Sequence, residues 1–149
     1  IGIVINKPFP SLTFFELMAQ LGLNESEATH EVPLHSGGPV EVSRGFILHT
    51  CDYVLSSSVI INDYFSMTST LEILKKIAQG EGPREVIVSL GYTGWSKGQL
   101  EQEIMDNVWV IVEATENLVF KTQNEEKWPV ALANIGINPG AVSLEYGHA

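Results

Sequence analysis

Two glycine-containing segments hold most of the residues whose types and spacing could support chemistry. Gly91–Gly98 follows an apolar run and precedes a helix start, where backbone N–H groups can hold a small anion. Its spacing matches neither the P-loop pattern nor the G-x-G-x-x-G pattern of nucleotide-binding folds. Ser36–Pro39 adds paired glycines, which permit backbone angles closed to other residues. The candidate ligand-binding residues are Ser36, Gly37, Gly38, His49, Gly91, Tyr92, Gly94, Trp95 and Gln99.

Ser36, His49 and Asp52 have the residue types of a hydrolytic triad, but their sequence context does not fit one. A nucleophile elbow needs a serine within G-x-S-x-G on a sharp strand-to-helix turn. Two glycines follow Ser36 instead, and a hydroxyl that bonds its own loop backbone explains this serine more simply. Glu101 and Glu103, two positions apart on a predicted helix, point in different directions and are expected to be solvated. We therefore predict no catalytic residue.

His49 and Cys51 lie two positions apart on a predicted strand, so their side chains share one face and could supply half of a metal site. Zinc needs two further ligands, and His30, His35 and His148 have no spacing that supplies them. A partly buried histidine with a hydrogen bond, beside a small apolar thiol, is the simpler interpretation. No metal and no cofactor is predicted.

Composition favours one acidic domain that binds other proteins. The chain has 149 residues and 44% hydrophobic content, which suffices for a single core. Eighteen Asp and Glu against eight Lys and Arg give a net charge of -10, which repels phosphate backbones. Direct nucleic-acid binding is therefore disfavoured, and no helix-turn-helix with a basic recognition face is visible. The partners expected are other proteins, and the oligomeric state is left open.

The cysteine count and the apolar runs predict a cytoplasmic protein. Cys51 is the single cysteine, which suits a reducing compartment. No apolar run approaches the length of a membrane span. The sequence begins at Ile1 within a predicted strand, so we expect an N-terminal segment to be missing from it.

The alternation of strand and helix signals predicts an α+β fold, a single domain with an extended mixed or antiparallel sheet and a cluster of short helices. Thr13 with Glu16 and Ser69 with Glu72 fit capping boxes at two helix starts. Pro129 fits the first turn of a last helix that ends before Gly136. The other predicted elements are strands over 1–5, 45–50, 59–62, 85–90 and 108–114, a helix over about 97–106, and loops over 24–31 and 63–68.

The aromatic residues are predicted to anchor this fold. Tyr92 and Trp95 are expected to pack over adjoining helices, while the neighbouring glycines allow close backbone approach. Trp109 and Trp128 are expected to be core or interface anchors.

Several motifs, taken in order, resemble those of the YqgE/AlgH family of bacterial proteins. They are Gly2–Pro8, His35–Val40, Phe46–His49, Gly91–Glu101, Trp109, Trp128–Gly136 and the closing Tyr146–Ala149. The resemblance spans nearly the whole chain and implies a compact α+β domain in the bacterial cytoplasm. Family members usually begin earlier, with a strand before the first motif. Pro129 departs from relatives, which tend to continue a polar helix start there.

The resemblance implies little chemistry, since the family brings no catalytic residues or DNA-binding module to carry over. Some members are described as transcriptional regulators. We therefore expect a regulatory or protein-interaction domain whose effect on transcription is indirect. The alternative is a small-molecule or anion-binding protein, with enzymatic activity left open, that uses the Ser36–Pro39 and Gly91–Gly98 loops.

Overall fold

A computed structural model describes residues 1–23 and 28–142. It contains a five-stranded mixed sheet in the order β1-β5-β2-β4-β3. β1 and β5 are parallel, and every other neighbouring pair is antiparallel. The α+β prediction is therefore confirmed. The strands are β1 (Leu34–Ser36), β2 (Val40–Thr50), β3 (Val59–Ile60), β4 (Phe65–Thr68) and β5 (Val86–Tyr92).

Four α-helices and two shorter turns surround this sheet. They are α1 (Phe14–Gln20), α2 (Leu71–Ala78), α3 (Gln99–Met105), α4 (Asn124–Asn134), a π-helical turn over Asn117–Lys121 and a 3₁₀ turn over Pro139–Ala141. The capping box at α1 is confirmed, because Thr13 accepts from the Glu16 amide and Glu16 accepts from the Thr13 amide. The capping box predicted for Ser69 and Glu72 at α2 is not confirmed, because Thr70 is the N-cap and its side chain makes no capping bond.

Both faces of the central strands are buried. Ile47 and Leu48 are neighbours on β2 and therefore point to opposite faces. Ile47 packs in a core with α1 and α2, whose buried members include Phe14 and Ile73. Leu48 packs in a second cluster with Phe65, Ile87 and Val119. The sheet is thus the middle layer, and the π-helical turn covers its second face.

Three predictions of strand or loop were wrong. Residues 1–5 form no strand, and only Gly2 bridges to Thr93. The predicted loop over 63–68 contains β4, whose polar residues Ser66 and Thr68 are buried. A short strand with buried hydroxyls lacks the apolar alternation that sequence patterns detect. Ser36 likewise lies in β1 and not in a loop.

Residues 108–114 form no regular element, although their apolar alternation predicted a strand. A strand needs a neighbour with unpaired ladder groups, and this segment pairs with no strand in the described ranges. Val110 and Ile111 are exposed as a result.

The last helix begins earlier than predicted. α4 starts at Asn124, so Pro129 lies in the helix interior and not in its first turn. A proline there cannot donate to the carbonyl group of Glu125, so the helix tolerates one missing bond.

Some predictions fall partly outside the described residues, namely the polar loop over 24–31, His148 and the closing motif at 146–149. Within the described ranges, no helix is long and apolar enough to span a membrane.

Candidate functional site

The two glycine-containing segments meet in the structure. Ser36 lies opposite Leu90, and the Gly37 amide donates to the Leu90 carbonyl oxygen at 2.8 Å. Val40 pairs with Tyr92 across the β2–β5 register. The two segments therefore lie side by side, although they are far apart in sequence.

Close packing fills the space around Gly37, Gly38 and Gly91. A side chain on Gly37 would overlap the Ser89 hydroxyl and the Gly91 carbonyl oxygen. A side chain on Gly38 would overlap the Tyr92 backbone. Gly91 has a φ of +77° and faces the Gly38 carbonyl oxygen. Close packing is therefore enough to explain why these positions are glycines, and ligand binding by them stays a prediction.

Trp95 belongs to a hydrogen-bonded cluster with Trp109. The indole N–H groups of Trp95 and Trp109 both donate to Oε2 of Glu103, at 3.2 and 2.6 Å. The two rings meet edge to face, with centroids 5.9 Å apart. Gln99 donates to Oε1 of the same carboxylate at 3.0 Å and accepts from the Ser96 amide. Glu103 was predicted to be solvated, but it joins both tryptophans to α3.

The other two aromatic predictions concern Tyr92, which was expected to pack over adjoining helices, and Trp128, which was expected to be a core or interface anchor. Tyr92 packs edge to face on Phe46, with ring centroids 5.5 Å apart, and Gly94 lies near the Tyr92 ring. A hydrogen bond to the Glu41 carboxylate raises the pKa of the Tyr92 phenol. Trp128 remains 44% exposed, so it is not a core residue.

His49 is fully buried, and both ring nitrogens have partners. Nδ1 lies 2.8 Å from the Thr50 carbonyl oxygen, which can only accept, so Nδ1 carries the proton. Nε2 then accepts from the Thr68 hydroxyl at 2.8 Å, and Thr68 in turn accepts from Ser58 at 2.6 Å. Burial lowers the pKa of His49. The hydrogen bond to the Thr50 carbonyl group and the charge of Asp52 raise it by smaller amounts. A neutral ring with these bonds is a structural group.

Ser36 and His49 are not brought together. Ser36 lies on β1 opposite Leu90, which lies opposite Gly45 on β2, so β5 separates the two residues. His49 is four positions beyond Gly45, roughly 13 Å along the strand at about 3.3 Å per residue. Cys51 contacts the Ser66 hydroxyl at 3.1 Å. Over residues 1–23 and 28–142, no group of three or more His, Cys, Asp or Glu could hold a metal ion.

A different set of polar residues surrounds a cavity of about 490 Å³ between β1, the start of β5 and α4. His35 projects from β1 and is 5% exposed. Its Nε2 lies 3.1 Å from Oδ1 of Asn124, the first residue of α4. Lys127, one turn later, is 6% exposed and donates to the Ile5 carbonyl oxygen at 2.7 Å and to Asn124 Oδ1 at 3.2 Å.

Burial controls the titration of this cluster. Burial lowers the pKa of His35, and the charge of Lys127 lowers it further. Hydrogen bonding with Asn124 and with the Val88 and Pro33 carbonyl groups acts in the opposite direction and raises it. Burial also lowers the pKa of Lys127. Both shifts favour the neutral side chains over the charged ones.

Sequence reasoning considered His35 only as a metal ligand and missed Asn124 and Lys127. One signal was available, because Lys127 lies one helical turn before Ala131, on the side predicted to be apolar. The predicted helix began too late to include it. The contact between His35 and Asn124 joins residues 89 positions apart and has no sequence signal.

The comparisons with known proteins agree with the motif order described above. The model of the AlgH-like family, DUF179, matches residues 1–140. A UPF0301 protein of Jannaschia sp. (strain CCS1) is 45% identical over 99% of this chain and 78% of its own length. A UPF0301 protein of Rhodospirillum rubrum is 42% identical over 99% of this chain and 77% of its own length.

A solved structure resembles the whole chain as well. The solution structure of the AlgH protein from Pseudomonas aeruginosa superposes with a TM-score of 0.76 at 35% identity, covering 99% of this chain and 78% of that one. The family match, the bacterial relatives and the shared architecture agree with one another. This chain belongs to the AlgH-like family.

Proposed function

We propose that this domain is a protein-interaction domain that binds an extended segment of a partner protein at the open edge of β3. The observation that carries the proposal is Ile60, an apolar residue on an edge strand that is 65% exposed. An extended peptide can add to such an edge through main-chain hydrogen bonds. A role in transcription would then be indirect, through the partner, in the bacterial cytoplasm.

The backbone of Ile60 faces the open edge. The Ile61 amide donates to the Phe65 carbonyl oxygen, and Val59 lies opposite Met67. Ladder bonds of an antiparallel pair alternate along the strand, so the N–H and C=O groups of Ile60 point away from β4. These two groups are available to an added strand.

The edge lacks two of the usual protections against pairing. Natural edge strands often carry charges or prolines that prevent association, and residues 53–62 contain neither, although β3 is only two residues long. Val59, Ile60 and Ile61 are exposed apolar side chains in this segment, and Tyr64 is exposed beyond it, after Asp63. The opposite edge differs, because residues 7–9 cover β1 with bonds from the Ser36 amide to Lys7 and from the Phe9 amide to Leu34.

Charge favours a basic partner segment. The net charge of -10 repels nucleic acid and attracts cationic chains over long range. An extended segment with apolar residues at alternate positions and Lys or Arg between them matches both the strand edge and the surrounding field.

A matched pair of substitutions tests the proposal. Tagged protein carrying Ile60→Lys or Met105→Lys is used to recover partners from lysate of the source bacterium, beside the unchanged protein. Met105 is the control because it is also an exposed apolar residue, on α3. We expect one stoichiometric partner that Met105→Lys retains and Ile60→Lys loses. A partner retained equally by both variants, or no stoichiometric partner, contradicts the proposal.

The alternative of ligand binding at Ser36–Pro39 and Gly91–Gly98 has less support, because backbone and side-chain atoms fill the space beside Gly37, Gly38 and Gly91. A thermal-shift screen with nucleotides, metabolites, anions and metals tests it, since a ligand that prefers the native state raises the melting temperature. A dose-dependent increase that Trp95→Ala or Ser36→Ala abolishes would favour the alternative.

A further inference from the structure

Ile60 offers a hydrogen-bond donor and an acceptor side by side at the edge of β3. Its N–H and C=O groups point away from β4, and no other described residue bonds to them. The amides two positions away on each side are used within the chain. Ser58 donates to the Leu55 carbonyl oxygen at 3.0 Å, and Asn62 donates to the Phe65 carbonyl oxygen at 3.2 Å. The hydrogen bonds of an added strand therefore centre on Ile60.

A residue with this arrangement is complementary to itself. In an antiparallel sheet, two residues that form a hydrogen-bonded pair exchange both of their N–H···O bonds. A two-fold axis brings one surface of a protein against the identical surface of a second copy. With the axis at Ile60, the donor and the acceptor of this residue meet the acceptor and the donor of Ile60 in the second copy.

The neighbouring side chains match in the same register. When Ile60 lies opposite itself, Val59 lies opposite Ile61 of the second copy, on the other face of the sheet. All three side chains are exposed in the single chain. Opposite side chains of an antiparallel pair are close enough to pack together. The two-fold register therefore turns every exposed apolar residue of this edge into an apolar pair.

The edge carries no charge where two copies would meet. Residues 53–62 contain no charged residue, and Asp63 follows them. In the two-fold register Asp63 falls opposite Ser57 and not opposite another carboxylate. Two chains with a net charge of -10 repel each other, but salt screens exposed charges beyond about 8 Å at physiological ionic strength. Two copies can therefore meet at this edge without bringing like charges into contact.

We propose that a second copy of this chain occupies the edge of β3 in the absence of another partner, as a two-fold symmetric dimer with Ile60 on its axis. The dimer joins two five-stranded sheets into one continuous sheet. Its contact is small, and small interfaces are weak and transient. A partner segment must displace the second copy, so self-association regulates access to the edge. The inference rests on the same open edge as the proposed function but needs no other protein.

Sedimentation equilibrium of the purified full chain tests the dimer, between about 5 µM and about 1 mM to cover weak association. The average mass should rise with concentration towards that of a dimer and no further, because the contact uses the open edge of both copies. Higher salt should strengthen the dimer by screening the repulsion between the copies, whereas it should weaken binding of a basic partner segment.

Substitutions at Ile60 should weaken the dimer about tenfold. Ile60→Lys places like charges opposite each other. Ile60→Pro removes the outward N–H without removing a bond to β4, so it tests the main-chain contact. Met105→Lys, at an exposed apolar residue of α3, is the control and should leave the association unchanged.

A mixture of two variants tests the symmetry. Ile60→Lys and Ile60→Glu should each associate weakly, because position 60 faces itself across the axis. An equimolar mixture should form a dimer with one copy of each, about three- to tenfold tighter than either variant alone, since opposite charges then face each other. A chain that stays monomeric, oligomers larger than a dimer, equal weakening by Met105→Lys, or a mixture no tighter than its components overturns the inference. Such a result leaves the recovery of a partner from lysate unaffected, so the two proposals can fail separately.

Discussion

A methyl group on Gly37 would overlap the hydroxyl oxygen of Ser89 on the neighbouring strand β5. The same methyl group would overlap the Gly91 carbonyl oxygen. Ser89 is buried, and its hydroxyl oxygen has no hydrogen-bond partner among the described residues. The backbones at the end of β1 and β5 therefore approach more closely than any side chain allows.

We predict that Gly37→Ala lowers the free energy of unfolding by about 2–3 kcal/mol, the usual cost of overpacking a filled interior. Gly45→Ala is the control, because a methyl group there has nothing within 4 Å. It should change stability by no more than about 0.5 kcal/mol. Urea unfolding followed by circular dichroism measures both, and equal effects would show that close packing at Gly37 does not matter.

The shared carboxylate of Glu103 leads to a prediction about Trp95 and Trp109. In Glu103→Ala both indole N–H groups lose their acceptor, which should cost about 2 kcal/mol because both rings are only partly exposed. Glu101→Ala removes an exposed carboxylate from the same helix and should cost less than about 0.5 kcal/mol. Tryptophan fluorescence should also shift to the red in Glu103→Ala alone. An unchanged emission spectrum would be inconsistent with the cluster.

The buried ring of His49 predicts a pH dependence of stability. Burial holds its folded-state pKa below the ordinary value near 6.5. On acidification through that value the unfolded state takes up a proton that the folded state does not, so the free energy of unfolding falls. The loss is complete once the pH lies below the folded-state pKa.

Comparison with His49→Gln isolates this effect. Glutamine keeps one donor and one acceptor but does not titrate, and both proteins share the same changes in net-charge repulsion and at His35. Between about pH 7.5 and pH 5.5 the wild-type protein should lose more stability than the variant in urea unfolding. Parallel pH profiles would mean that His49 does not titrate as its burial requires.

The fold class, the capping box at Thr13 and the strand containing Phe46–Thr50 could be predicted because each depends on a local pattern. The wrong strand and loop assignments share one cause, namely that the deciding partner is far away in sequence. Residues 108–114 have the alternation of a strand but pair with no strand among the described residues, whereas β4 is flanked by β2 and β3.

The candidate site shows the same limit. The glycines beside Tyr92 and Trp95 were expected to allow close backbone approach, but the meeting of Ser36–Pro39 with Gly91–Gly98 was not predicted. Lys127 could have been noticed as a charged residue on an apolar helix side. Its acceptors, Ile5 and Asn124, become visible only once α4 is placed against the N-terminal segment.

Photo-crosslinking in living cells tests strand addition at β3 most directly. A benzophenone amino acid is placed at position 60, and at position 105 as the control, in the full-length protein. The proposal predicts a discrete adduct with another protein from position 60 and none from position 105. Absence of an adduct at position 60 in folded protein, or the same adducts from both positions, would contradict it.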